Sequence, residues 1–144
     1  MKRFMFTLIG ILIIILTYSQ EPYNKDGKLL DGKYVEYYDN GNEKVVINFE
    51  DGLIQGKVYH YYEDGNKKEL RTYKNGKFDG VFKTWDQNGR LIGIAHYEDG
   101  KKEGTWLIYE DGNLRYKINY NDGEKEGKSF LYNDKGYVVS MKEY

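Results

Sequence analysis

Five copies of one unit of about 24 residues fill this chain, and a repeat of that period restricts it to an array in which each unit leans on its neighbours. Laid on its glycines, the sequence reads Gly32-Lys-Tyr-Val-Glu-Tyr37, Gly56-Lys-Val-Tyr-His-Tyr61, Gly80-Val-Phe-Lys-Thr-Trp85, Gly104-Thr-Trp-Leu-Ile-Tyr109 and Gly127-Lys-Ser-Phe-Leu-Tyr132. Those glycines are spaced by 24, 24, 24 and 23 residues. A second glycine follows at Gly41, Gly65, Gly89, Gly112 and Gly136, and eight residues later comes Phe49, Tyr73, Tyr97, Tyr120 or Tyr144. A third glycine closes the first four units at Gly52, Gly76, Gly100 and Gly123.

Each unit holds two short runs rich in aromatic and β-branched residues, and Asp-Gly or Asn-Gly pairs punctuate them. Such pairs tolerate positive φ and suit tight hairpin turns. No run shows the helical i, i+3, i+4, i+7 pattern over 11 or more residues. The connections are too short for parallel crossovers, so neighbouring strands must be antiparallel. The expected fold is all-β: an elongated, single-layer antiparallel β-meander solenoid of five stacked hairpins. Strands are expected near 33–38, 43–49, 57–62, 67–73, 81–85, 90–97, 105–109, 113–120, 128–132 and 137–143. The units run 32–55, 56–79, 80–103, 104–126 and 127–144, preceded by a half-unit at 20–31 that is expected to cap the first hairpin.

Three aromatic columns follow from the period. Tyr37, Tyr61, Trp85, Tyr109 and Tyr132 form one, and Phe49, Tyr73, Tyr97, Tyr120 and Tyr144 a second. Tyr34, Val58, Phe82 and Trp106 begin a third, which fails at Ser129. The first and third columns stand three positions apart, which breaks two-residue alternation. Either both sheet faces carry aromatics, or a bulge resets the face in every unit. Trp85 and Trp106 are expected to belong to the stacking core.

The first nineteen residues are a separate object. Lys2 and Arg3, an apolar run from Phe4 to Leu16 and Ser19 before Gln20 describe a secretory signal peptide, so an exported protein (periplasmic, envelope-bound or secreted) is expected. The competing reading is an uncleaved anchor, for which the run is short against the roughly 20 residues a spanning helix needs. Without Lys2 and Arg3 the chain keeps 20 basic and 23 acidic residues, a net charge of −3. That balance gives no electrostatic footprint for nucleic acid and little pull towards anionic lipid. The chain has no cysteine, which removes disulfides, thiolate metal sites and thiol chemistry.

Enzyme chemistry finds no foothold. Beyond the first nineteen residues the only histidines are His60 and His96, and the only serines are Ser129 and Ser140, in distant units. The nucleophile and base of a triad must lie within hydrogen-bond reach. Asp before Gly is turn chemistry, and a turn with one or two carboxylates falls short of the 6–8 oxygen ligands calcium takes. No catalytic residue, metal ligand or cofactor is assigned.

The residues Gly-x-aromatic-x-x-Tyr, a turn glycine, a strand ending in Tyr and a closing Gly-x-x-x-Gly resemble the MORN repeat in its longer bacterial variant. The stretch from Gly56 through Tyr61, Tyr73 and Gly76 to Gly80 carries the resemblance best, and residues 27–144 follow it. Departures are Ser129, one residue lost before Gly112, and no glycine closure after Tyr144. The resemblance implies a twisted single-layer sheet acting as an accessory module in protein contacts, oligomerisation or membrane association. An antitoxin-like partner role is implied by that grouping alone.

Tyr38, Tyr59 and Tyr62 add rings outside the columns and are the candidate binding surface, since tyrosine gives contact area at low entropic cost. Val138, Val139 and Met141 are the candidate C-terminal edge, where a partner strand could add. The expected function is binding of an unidentified protein through a sheet face or edge. Self-association through that edge as an envelope structural element, and binding to a glycan or lipid surface, are the alternatives.

Overall fold

The computed structural model describes residue 24 and residues 26–144. The signal segment, and the half-unit as far as Tyr23 together with Lys25, lie outside the described residues. The described chain is one open antiparallel sheet without a helix. Unit one supplies β1 (Gly32–Tyr37), β2 (Glu43–Glu50) and β3 (Leu53–Ile54). Unit two supplies β4 (Gly56–Tyr61), β5 (Lys67–Lys74) and β6 (Lys77–Phe78). Unit three supplies β7 (Gly80–Trp85) and β8 (Leu91–Glu98), and β9 (Lys101–Glu110) runs from its end into unit four. Unit four adds β10 (Asn113–Asn121) and β11 (Glu124–Lys125), and unit five β12 (Lys128–Tyr132) and β13 (Val138–Glu143). Ten of these follow one another across the sheet from β1 to β13, while β3, β6 and β11 are short outriggers on β2, β5 and β10. At about 4.8 Å per strand, the sheet is about 43 Å across.

The three outriggers were not foreseen. Strand structure breaks at Gln55-Gly56, Asp79-Gly80 and Glu126-Gly127, where the glycines have positive φ, but runs through Gly104, whose φ is 64°. At Gly80, with φ of 109°, an added Cβ would also meet Thr72 at 3.3 Å. At the end of unit three the same segment stays paired as part of the ten-residue β9.

Tight turns separate the units as the dipeptides demand. Asp51, Asn75, Asp99 and Asp122 have φ between 47 and 50°, each followed by a positive-φ glycine, the signature of a type I′ turn. Each of these turns is tied to the preceding unit: the amides of Gly52, Gly76, Gly100 and Gly123 donate to the carbonyls of Leu30, Ile54, Phe78 and Lys102 at 2.7–2.9 Å. The residue lost before Gly112 has a structural consequence. Where the other units make a longer loop, Asp111-Gly112 makes another I′ turn, and β9 and β10 are accordingly the longest strands.

The aromatic columns divide between two faces, and every unit also contains a bulge. Pairing skips Lys44, Lys68, Ile92, Arg115 and Val139 on the second strand of each hairpin. Two-residue alternation then puts the second and third columns on one face, the core face, and the first column on the reverse face. Rings on the core face form a ladder: Tyr73–Phe78 at 4.7 Å, Phe78–Tyr97 at 5.2 Å, Tyr97–Trp106 at 5.3 Å and Trp106–Tyr120 at 4.8 Å. Trp106 is therefore core, whereas Trp85 is half-buried on the reverse face.

Burial is uneven along the stack. Val45, Ile47, Phe49 and Val58 form the buried cluster, with Leu30, Tyr34, Ile54 and Tyr73 packed against it. Leu30, one period before Ile54, thus extends the repeat pattern into the half-unit. At the other end every residue of β13 is exposed, and Ser129 leaves its hydroxyl without a partner where the third column lacks its ring. Phe49→Ala, at 6 % exposure, is expected to cost about 3–5 kcal/mol in denaturant melts. Met141→Ala, at 52 % exposure, should stay within about 0.5 kcal/mol. Equal losses would contradict a core seated at the N-terminal units.

Candidate interaction surfaces

The three tyrosines picked as spare rings occupy specific places between hairpins. Tyr38 donates its hydroxyl to the carbonyl of Tyr61 at 2.8 Å, and Tyr62 donates to the carbonyl of Trp85 at 2.9 Å. Each reaches the equivalent carbonyl one unit ahead. In unit four the guanidinium of Arg115, a bulge residue, donates to the carbonyl of Tyr132 at 2.7 Å and replaces them. Tyr59 stacks on Tyr61 on the reverse face, centroids 6.4 Å apart. Lysines lie over all three rings: Lys44 over Tyr38, Lys67 over Tyr59 and Lys68 over Tyr62, at 5.5–6.0 Å. The hydroxyls of Tyr38 and Tyr62 are thus engaged within the sheet, and what they offer outward is ring surface.

A second set of ties escaped the sequence reading. The residues before Gly56, Gly80 and Gly104 cap the next turn: Gln55 Oε1 accepts the Asn75 amide at 2.7 Å, Asp79 Oδ2 the Asp99 amide at 3.3 Å and Glu103 Oε2 the Asp122 amide at 3.0 Å. Its signal was a polar acceptor recurring once per period. Asp79 and Glu103 also border an open groove of about 550 Å³ with His96 and Thr105. Their turn-capping bonds account for these carboxylates without invoking chemistry. Among the described residues no group of three or more His, Asp or Glu side chains could hold a metal ion.

The core face carries one charged cluster. Arg71 forks onto Glu69 Oε2 at 2.8 Å from Nε and 2.5 Å from its terminal nitrogen, with both side chains mostly shielded. Glu69 stands opposite His60, which stands opposite the buried Val45. Burial, and then the nearby Arg71 and Lys68 cations, push His60 down from 6.5 to about 4, against the opposing pull of Glu69 and Glu36.

The reverse face is organised differently. Its central rung runs in register across all ten long strands: Val35, Val46, Tyr59, Leu70 and Lys83, then Ile94, Leu107, Lys117, Phe130 and Met141. Beside it runs the first column, with Leu91, Leu114 and Val138 facing Trp85, Tyr109 and Tyr132. No second layer lies over these rungs among the described residues.

The C-terminal strand is the exposed edge. β13 pairs with β12 on one side and with no strand on the other among the described residues. Val138, Val139 and Met141 are 52, 54 and 52 % exposed, and Tyr137 is 68 % exposed. Val139 proves to be the bulged residue. The Tyr144 amide donates inward to the Gly127 carbonyl at 3.0 Å, so by antiparallel alternation Glu143 and Met141 turn their backbone groups outward.

A family model for the MORN repeat variant matches residues 30–51, 54–75, 78–99 and 102–122, which is more than half of the chain. The chain belongs to this repeat family. Repeats of this family are a non-catalytic type and generally serve interactions with proteins or membranes. The fifth unit lies outside the matched residues. No curated protein matches the chain.

The His60 environment has a pH consequence. Because the folded state holds this imidazole below its unfolded value, the unfolded chain binds the extra proton between pH 6.5 and about 4. Stability contributed by neutral His60 is complete above pH 6.5 and is lost as pH falls towards 4. His60→Gln should flatten that part of the stability–pH curve in denaturant melts; an unchanged slope would remove His60 as its source.

Proposed function

We propose that this chain is an exported, non-enzymatic binding protein that engages another protein through its sheet, with the β13 edge as the principal contact. The observation that carries the reading is the exposed edge: Val138 and Met141 stand out of the sheet there, and the backbone groups of Met141 and Glu143 are aimed outward. Main-chain groups of that kind accept an added strand, with side chains on alternate positions giving selectivity. Lys142 and Glu143 discourage indiscriminate pairing at the same place. Family membership supports an interaction role, and the Lys2-Arg3 segment, the apolar run and Ser19 support export. A second copy of this chain would use the same edge, giving a two-fold dimer with one continuous sheet.

Met141→Pro is the informative variant, because it removes an outward donor and leaves the β12 ladder bonds in place. A photo-crosslinker at Glu143 in the native host is expected to capture a discrete partner, and Met141→Pro should abolish the adduct. Sedimentation of the purified protein separates a hetero-partner from a dimer. A monomeric mass to high micromolar concentration together with no adduct would end the edge reading.

A further inference from the structure

We infer that the reverse face is a docking surface for an acidic, extended segment of a partner protein, laid across the strands along the central rung. The inference rests on the protein-binding reading above but assigns a different surface and a chemistry to the partner. Its basis is a separation of charge that overall composition conceals. The chain is acidic once Lys2 and Arg3 are set aside, yet the central rung of this face and the rungs on either side of it hold Lys33, Lys57, Lys67, Lys83, Lys117 and Lys128 against Glu43, Glu103 and Glu143. Lys33 is answered by Glu43 at 3.8 Å. Lys57, Lys83 and Lys117 make no ion pair among the described residues.

Lys83 and Lys117 are placed in the middle of an otherwise apolar rung, directly opposite Leu70, Ile94, Leu107 and Phe130. An uncharged residue there would make a continuous apolar stripe suited to burial under a second layer. Lysine instead keeps its stem on the apolar surface and its ammonium in water, ready for an anion. The geometry sets the partner's pattern. Lys83 and Lys117 are three strands apart in the sheet order, about 14 Å at 4.8 Å per strand. An extended chain advances about 3.3 Å per residue, so its acids should fall about four residues apart, and about thirteen residues would cross the sheet. Apolar residues between those acids would meet Ile94 and Leu107.

The test uses the purified protein and a labelled synthetic peptide of that length with Glu at every fourth position and Phe, Ser and Thr between. Its counterpart carries Lys for Glu, and vesicles of neutral lipid with a minor anionic component form a third arm. Fluorescence anisotropy should show the Glu peptide binding, the Lys peptide not, and affinity falling with salt. Lys57→Gln with Lys83→Gln and Lys117→Gln should weaken binding about tenfold, as for three rim charges, with the melting temperature unchanged. Reversing the same three to Glu should transfer binding to the Lys peptide. Equal binding of both peptides, or unchanged affinity in the Gln variant, would overturn the proposal. So would vesicle binding without peptide binding, which would assign the face to a lipid surface. A partner captured at Glu143 whose yield is the same in the Gln variant would overturn this inference while leaving the edge reading intact.

Discussion

A single-layer sheet has no opposing layer to close its core, so each hairpin is held only by the hairpins beside it. Everything else in this molecule answers that constraint. The backbone ladder alone fixes distance and direction but leaves the hairpin ends free to splay. The repeat therefore places a hydrogen-bonded tie at both ends of the junctions of unit two with its neighbours and at one end of the two junctions that follow. At one end a tyrosine hydroxyl, or Arg115 in unit four, reaches the carbonyl one unit ahead. At the other, a turn glycine donates back to the preceding unit, and Gln55, Asp79 or Glu103 caps the following turn. Exposed ion pairs such as Lys77–Asp99 at 2.7 Å run along the same line, and their individual contribution is small. Rings on the core face then bury area that no second sheet is there to bury.

The two faces solve different problems with the same period. The core face is packed by its ring ladder and tolerates a charged cluster only where Glu69 and Arg71 satisfy each other. The reverse face carries large side chains on two rungs but interrupts the central one with Lys83 and Lys117, which make no ion pair among the described residues. Stability would be served by more apolar area there, and solubility by fewer rings. That combination is the ground for the docking surface proposed above.

Much of this was legible because the period does the reading. Glycine spacing gave the hairpins, Asp-Gly and Asn-Gly marked turns of which those at Asp51, Asn75, Asp99, Asp111 and Asp122 are I′, and the strand limits agree within about two residues except at β9. What stayed hidden has no residue-type signature. The bulge residues are Lys44, Lys68, Ile92, Arg115 and Val139, four different side chains at one backbone position, so nothing in their identity marks the skipped pairing. Of the two alternatives for the columns the first holds: rings occupy both faces, and the bulge in each unit lies on the opposite strand and does not bring the first and third columns together. Tyr38 and Tyr62 were visible as extra rings, but only the register shows that their hydroxyls fall on carbonyls of the next unit. The caps at Gln55, Asp79 and Glu103 were a periodic signal hidden by chemical variety, because an amide, a short acid and a long acid accept the same bond.

The packing gradient along the stack links fold to role. Burial is concentrated where Val45, Ile47, Phe49 and Val58 meet, and it thins until β13 has no shielded residue. Ser129 marks the step: a ring there would have continued the ladder beyond Trp106 and Tyr120, and the serine instead leaves a hydroxyl without a partner. Among the described residues the β12–β13 hairpin is supported from one side only, and in a stack governed by nearest neighbours such a hairpin opens most readily. A strand added to β13 supplies the missing neighbour, so binding there stabilises the part of the molecule that its own packing supports least. The missing ring and the open edge of β13 among the described residues thus account for weak packing at this end and suit the edge to the proposed partner strand.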